Sequence, residues 1–189
     1  MAYLVRPMQR SDIPQATEID REAFPTMKPP TNFDRELGYT LAHYFVVCPD
    51  TGHEGINAGA QDIIGFAGLW LLADEAHIVN IAVRPEYRRR GIGEMLLIAL
   101  IEKSFDISAS MITLEARVSN RAAQGLYYKY GFTIRGVRKG YYSDNREDAV
   151  IMTADDLNSA SFRDGLERLK KACYERTGSS LCRNKLNSA

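Results

Sequence analysis

Along this chain, short β-branched and aromatic runs alternate with longer stretches in which apolar residues recur every three or four positions. The first pattern predicts strands and the second predicts amphipathic helices. Tyr3 to Met8 predicts a short first strand. Ser11-Asp12-Ile13-Pro14 has the form of a helix start, a capping residue followed by proline in the first turn. That helix runs to about Phe24 and buries Ile13, Ala16, Ile19 and Ala23. Pro25, Pro29 and Pro30 force an irregular loop from Pro25 to Thr31, and a second helix is expected from Asn32 to Leu41. His43 to Cys48 and Asp62 to Leu72 predict strands, with a loop from Pro49 to Gln61 between them. After a turn near Asp74-Glu75 comes the strand Ile78 to Val83. These three strands read as an antiparallel meander.

Pro85 cannot donate to a ladder and pushes Arg84 towards an extended backbone, so the strand ends there. A strongly apolar helix is expected from Gly91 to Phe105, with Ile92, Met95, Leu96, Ala99, Leu100 and Lys103 at helical spacing. Ser110 to Val118 predicts another strand. Asn120 to Tyr130 predicts a helix capped by Asn120 and stopped by Gly131. Phe132 to Tyr142 and Glu147 to Thr153 predict a closing hairpin. From Asp155 the composition shifts: Ser161 to Arg176 predicts one more helix, packed on the body or on a partner, and Gly178 to Ala189 predicts a disordered tail. The sum is an α/β (α+β) architecture, one mixed, mostly antiparallel sheet of about six or seven strands with helices on both faces. The expected division is a domain over 1–154 and an extension over 155–189.

Composition narrows the class. The chain has 189 residues, and Lys+Arg and Asp+Glu both number 24, so a non-specific nucleic-acid binder is disfavoured. Cys48, Cys173 and Cys182 have no metal-ligand spacing, and a reducing cytoplasm is the simplest setting. No apolar run is long enough to span a bilayer, and no signal-peptide core opens the chain.

Two stretches carry candidate chemistry. Arg88-Arg89-Arg90-Gly91-Ile92-Gly93 joins a strand end to a helix start. Glycines there let backbone N–H groups converge, and the unpaired N–H groups of a helix N-terminus carry partial positive charge. Such a turn binds phosphate or pyrophosphate, although a solvated basic turn is the plainer alternative. It lacks the Gly-Lys-Ser/Thr ending of a Walker loop and the third glycine of the dinucleotide fingerprint. In the second stretch, Glu115 lies mid-strand on the face opposite Leu114 and Ala116. A carboxylate there is costly unless paired or solvated. An ion pair is the ordinary explanation for Glu115, helix capping for Asn120, and core packing for Tyr127. His43, His53 and His77 form no visible ligand set.

Taken together, the Arg-x-x-Gly-x-Gly turn after Val83-Arg84-Pro85, Leu114-Glu115-Ala116-Arg117-Val118-Ser119-Asn120 and Leu126-Tyr127…Gly131-Phe132 resemble the GNAT N-acetyltransferase superfamily. Ala23-Phe24-Pro25, His77 to Val83 and the run Arg138 to Met152 most resemble its bacterial ribosomal-protein-alanine N-terminal acetyltransferase family. The resemblance spans residues 3–154 and implies acetyl transfer from acetyl-CoA, with no metal, to the α-amine of a protein N-terminus. A ribosomal protein is the candidate acceptor, with neither nucleic acid nor membrane as partner. It implies Glu115 as base and Tyr127 as acid. It places the cofactor against Ile81, Ala82 and Val83, the turn Arg88, Arg89, Arg90, Gly91, Ile92 and Gly93, and Asn120 and Tyr127. It places the acceptor peptide against Phe24, Asn80, Tyr141 and Tyr142. Two rivals stay open: a GNAT enzyme acting on a lysine or small amine, for which Asp144, Glu147 and Asp148 would supply an acidic cleft, and a non-catalytic acyl-CoA-binding module. Assembly through the C-terminal helix is a further expectation.

Overall fold

The computed structural model describes residues 2–26, 29–50 and 62–179. Seven strands form one sheet in the order β1-β2-β3-β4-β5-β7-β6. They are β1 (Tyr3–Pro7), β2 (Ala42–Pro49), β3 (Gly65–Leu72), β4 (Glu75–Val83), β5 (Met111–Arg117), β6 (Thr133–Arg138) and β7 (Ala149–Ala154). Every pairing is antiparallel except β4 with β5. That parallel pair needs a crossover, which α3 (Ile92–Asp106) supplies. The expected meander is β2-β3-β4.

Two cores flank the sheet. On one face, α1 (Ile13–Ala23) and the short α2 (Phe33–Glu36) cover Tyr44, Val46, Phe66 and Ala82. On the other, α3, α4 (Arg121–Lys129) and α5 (Ala160–Thr177) enclose the larger core. The positions singled out along α3 in the sequence, Ile92, Met95, Leu96, Ala99, Leu100 and Lys103, make one stripe. In the fold the helix is buried nearly all round, including Leu97, Ile98 and Ile101, because α5 lies across its outer side and adds Leu166 and Cys173 to the same core. The C-terminal helix therefore packs on the body.

Three expectations are corrected. The second helix, expected to Leu41, stops at Glu36. Glu36 instead accepts from Tyr44 Oη (3.0 Å) and Trp70 Nε1 (2.6 Å), tying the chain down on the sheet. The closing hairpin is shorter than expected, because 139–148 makes side-chain bonds in place of a ladder. Gly178 and Ser179 are ordered: Gly178 takes φ +64° as the cap of α5, and buried Ser179 Oγ accepts from Tyr3 N (3.0 Å). Most of the expected 49–61 loop and the tail beyond Ser179 lie outside the described residues.

Candidate active site

The site begins with a fault in the sheet. The β3–β4 register passes from Leu69↔Ile78 to Gly68↔Asn80, so Val79 is an extra residue in β4. Such a bulge bends its strand. Pairing of β4 with β5 ends one residue earlier, at Ile78↔Leu114. Beyond it the strands part, and a cleft opens between Val79–Val83 and Glu115–Arg117.

Backbone groups line the β4 wall. Arg84 N donates to Ile64 O (2.9 Å), across to β3. Successive N–H groups of a strand point to opposite sides, so Val83 and Ile81 direct theirs away from β3, into the cleft. Val83 O points the same way and accepts from Arg88 Nε (3.1 Å). Ala82 is the exception among the expected cofactor residues: its N–H faces Phe66 on β3, and its side chain enters the smaller core.

Gly91 stands at the start of α3 with φ +85°, a conformation open to glycine at little cost. Arg88, Arg89 and Arg90 are exposed around it, and among the described residues none forms an ion pair. Arg90 lies over the Tyr87 ring (5.3 Å). Free N–H groups, the helix dipole and uncompensated arginines together fit the polyanionic end of a CoA thioester.

On the β5 wall the Glu115 side chain is 7% exposed, and each of its oxygens stands against a basic side chain. His77 Nε2 lies 2.9 Å from Oε2 and Arg138 Nε 3.0 Å from Oε1. His77 has the parallel-strand neighbour Thr113, two residues before Glu115 on the same face. His77 is a neighbour of Glu115 that the sequence reading missed. The available signal was its place one strand over from Glu115, which needs the β4–β5 register to be known.

Tyr127, on α4, approaches from the opposite face beside Phe132 (5.8 Å between rings). Burial pushes its phenol up to about 12, and Tyr142 nearby adds to the effect. Burial likewise raises Tyr142 to about 12, against the opposing pull of Arg117, with Glu115 among the groups it feels. Tyr142 therefore stands within electrostatic reach of Tyr127 on one side and Glu115 on the other. Asn120 Oδ1 caps α4 by accepting from Ala123 N (3.1 Å), which leaves its NH2 group for other partners.

The rim comes from two loops. Tyr141 and Tyr142 pack edge to face (5.2 Å), with Arg138 over the first ring and Arg117 over the second at 3.8 Å. Arg117 also pairs with Asp144 (2.9 Å) and Glu147 (3.0 Å), while Lys139 pairs with Asp148 (2.7 Å). Against the opposing push of desolvation, Arg117 holds the Asp144 carboxyl below the usual range, and Thr26 stands near enough to help, so the hairpin lies close to the loop after α1. Phe24, which ends α1, packs against the smaller core on that side. Asp20 accepts from both Thr31 N and Thr31 Oγ1 (3.0 Å each). Since that hydroxyl donates to Asp20, it accepts from Asn80 Nδ2 (3.5 Å). Asn80 Oδ1 is buried and has no hydrogen-bond partner among the described residues.

No His/Cys/Asp/Glu group suited to a metal ion occurs among the described residues. Among the same residues, no helix is long and apolar enough to cross a membrane.

The profile of the acetyltransferase (GNAT) family matches residues 13–132. A Bacillus subtilis (strain 168) protein provisionally named a [ribosomal protein bS18]-alanine N-acetyltransferase is 41% identical over 149 residues, 78% of this chain and 92% of that protein. The [ribosomal protein bS18]-alanine N-acetyltransferase of Escherichia coli (strain K12) is 44% identical over 89 residues, 46% of this chain and 60% of its own length. The crystal structure of the ribosomal-protein-S18-alanine N-acetyltransferase from Escherichia coli superposes with TM-score 0.66 at 29% identity, over 82% of this chain and 94% of that one.

Proposed function

This chain belongs to the GNAT acetyltransferase family, and from that premise we propose that it acetylates the α-amine of a protein N-terminus, with acetyl-CoA as donor. The related enzymes named for ribosomal protein bS18 make that protein's N-terminal alanine the first acceptor to try. An enzyme acting on a ribosomal protein would work in the cytoplasm.

The observation that carries the reading is Glu115, a nearly buried carboxylate held where β4 and β5 part. An ammonium has no lone pair and must lose a proton before it attacks. A protein α-amine has a reference pKa of about 7.7–8.0, against about 10.4 for lysine, so one carboxylate is enough help. The close contacts with His77 and Arg138 hold Glu115 in place, and His77, partly exposed, gives the abstracted proton a route outward. The Ile81 and Val83 N–H groups meet the oxygen on which negative charge develops. The phosphate end of acetyl-CoA lies on Arg88 to Gly93, and Asn120 donates to its pantetheine arm. Tyr127 stays protonated well above neutral pH and hydrogen-bonds the departing thiolate. Asn80 Oδ1 is the acceptor for the incoming amine, and Tyr141, Tyr142 and Phe24 flank the peptide.

The small-cation rival needs an acidic cleft. The carboxylates that would make it are already paired with cations: Asp144 and Glu147 share Arg117, and Asp148 meets Lys139, which leaves one net negative charge of the three. That favours a peptide over a polyamine. The test is mass spectrometry after incubation with acetyl-CoA and a mixed panel. The panel holds peptides with free Ala, Ser or Met N-termini, N-blocked lysine peptides, and polyamines. Acetyl on the α-amines is the expected result. Acetyl only on lysine side chains or polyamines overturns the reading.

A further inference from the structure

The C-terminal helix α5 lies beyond residues 13–132, the segment matched by the family. Its last turn nevertheless reaches the Arg88–Gly93 turn. A Cβ built on Gly91 would stand 2.7 Å from Thr177 Cγ2 and 3.7 Å from Arg176 Nη2. Gly91 is thus walled on one side by α5. The wall itself is fixed: Thr177 Oγ1 donates to Cys173 O (3.0 Å), and Ser179 Oγ accepts from Tyr3 N.

Glu94 lies beneath the same turn, in the first turn of α3, and is buried. Its Oε1 accepts from Lys129 Nζ (2.5 Å) and Tyr130 Oη (2.7 Å), and its Oε2 accepts from Arg176 Nη2 (2.5 Å). An uncompensated carboxylate there would repel an anion bound at the N-terminus of α3. Lys129 and Arg176 more than cancel it, and Arg176, with a side chain 51% exposed, is supplied by α5.

We infer that Arg176 and Thr177 are positioning residues for the phosphate end of acetyl-CoA. Arg176 acts by neutralising Glu94, and Thr177 by holding Gly91 in its left-handed turn. This rests on the assignment of Arg88 to Gly93 to the cofactor's phosphates. In that role the C-terminal helix sets donor affinity without touching the reacting atoms.

The test compares acetyl-CoA with S-acetylpantetheine, which has the thioester but no phosphates. Arg176→Ala raises the KM for acetyl-CoA about fivefold, the scale of a half-exposed ion pair. It leaves kcat, the peptide KM and the KM for S-acetylpantetheine unchanged. Arg176→Lys recovers most of the loss, and in a Glu94→Gln background the Arg176→Ala effect shrinks, because no carboxylate is then exposed by it. An unchanged KM for acetyl-CoA overturns the inference, and so does an equal loss with both donors. A wild-type protein with the same KM for both donors would instead remove the phosphate assignment beneath it. Should Arg176→Ala fail to fold, hydrogen exchange on the wild-type chain decides. Acetyl-CoA must then slow exchange of the amides in 171–179, because coupling between sites is reciprocal. Unchanged protection there refutes the coupling.

Discussion

Glu115→Gln tests the mechanism at its base. The carboxylate is 7% exposed and stands within 3.0 Å of both His77 and Arg138. The amide keeps the shape and one acceptor oxygen but cannot take the proton of an ammonium. In the proposed mechanism the wild-type enzyme binds the charged amine and deprotonates it in place. The variant must wait for amine that is already neutral. With an α-amine pKa of about 7.8, about a seventh of the acceptor is neutral at pH 7 and nearly all of it at pH 9. The ratio of wild-type to variant kcat/KM should therefore fall about sevenfold between those values, from a loss at pH 7 on the order of a hundredfold, the lower end for general base catalysis. The assay is initial rates of acetylation of an Ala-starting peptide, read by thiol release from pH 6.5 to 9.5. Thermal melts at each pH would separate any folding cost, about 1 kcal/mol for the disturbed bonds. A ratio that stays constant across that range would refute the assignment of Glu115 as base.

Tyr127→Phe should lower kcat with little effect on either KM, by about tenfold, since a thiolate leaves readily without full protonation. Its wild-type activity should show no alkaline limb from this group below pH 11, because burial holds the phenol up to about 12. Gly91→Ala should cost about 1–2 kcal/mol for a left-handed non-glycine residue, with a further clash against Thr177 Cγ2. Melting temperature and acetyl-CoA affinity should fall together, and Thr177→Ser, which removes that methyl group, should recover part of both. Burial alone would push Glu94 up, but Lys129, Tyr130 and Arg176 hold it below the usual carboxylate range. A lowered folded pKa gives stability that is present above the unfolded value and lost as pH falls through the folded one. Glu94→Gln should therefore lose less melting temperature than wild type between pH 6 and pH 3, and an equal loss would count against the hub.

The sequence by itself determined the strand order along the chain, the crossover helix and the two side chains, Glu115 and Tyr127, that the proposed mechanism uses. Those features are local: β-branched runs, proline stops, a glycine-opened helix and a capped α4 each follow from a few neighbouring residues. The backbone donors into the cleft were legible only in part, because alternation along β4 becomes decisive once Arg84 N is seen to bond Ile64 O. That pairing sets Ile81 and Val83 apart from Ala82. His77 was not legible, since its contact with Glu115 depends on β4 and β5 pairing in parallel and then parting at a bulge. The second helix failed for a related reason: its helical signal lost to tertiary bonds from Tyr44 and Trp70 to Glu36. Nor could spacing alone say that α3 is covered on both sides. Its apolar residues run all round the helix, but only the packing of α5 supplies what they bury against, and only that packing brings Arg176 and Thr177 to Gly91.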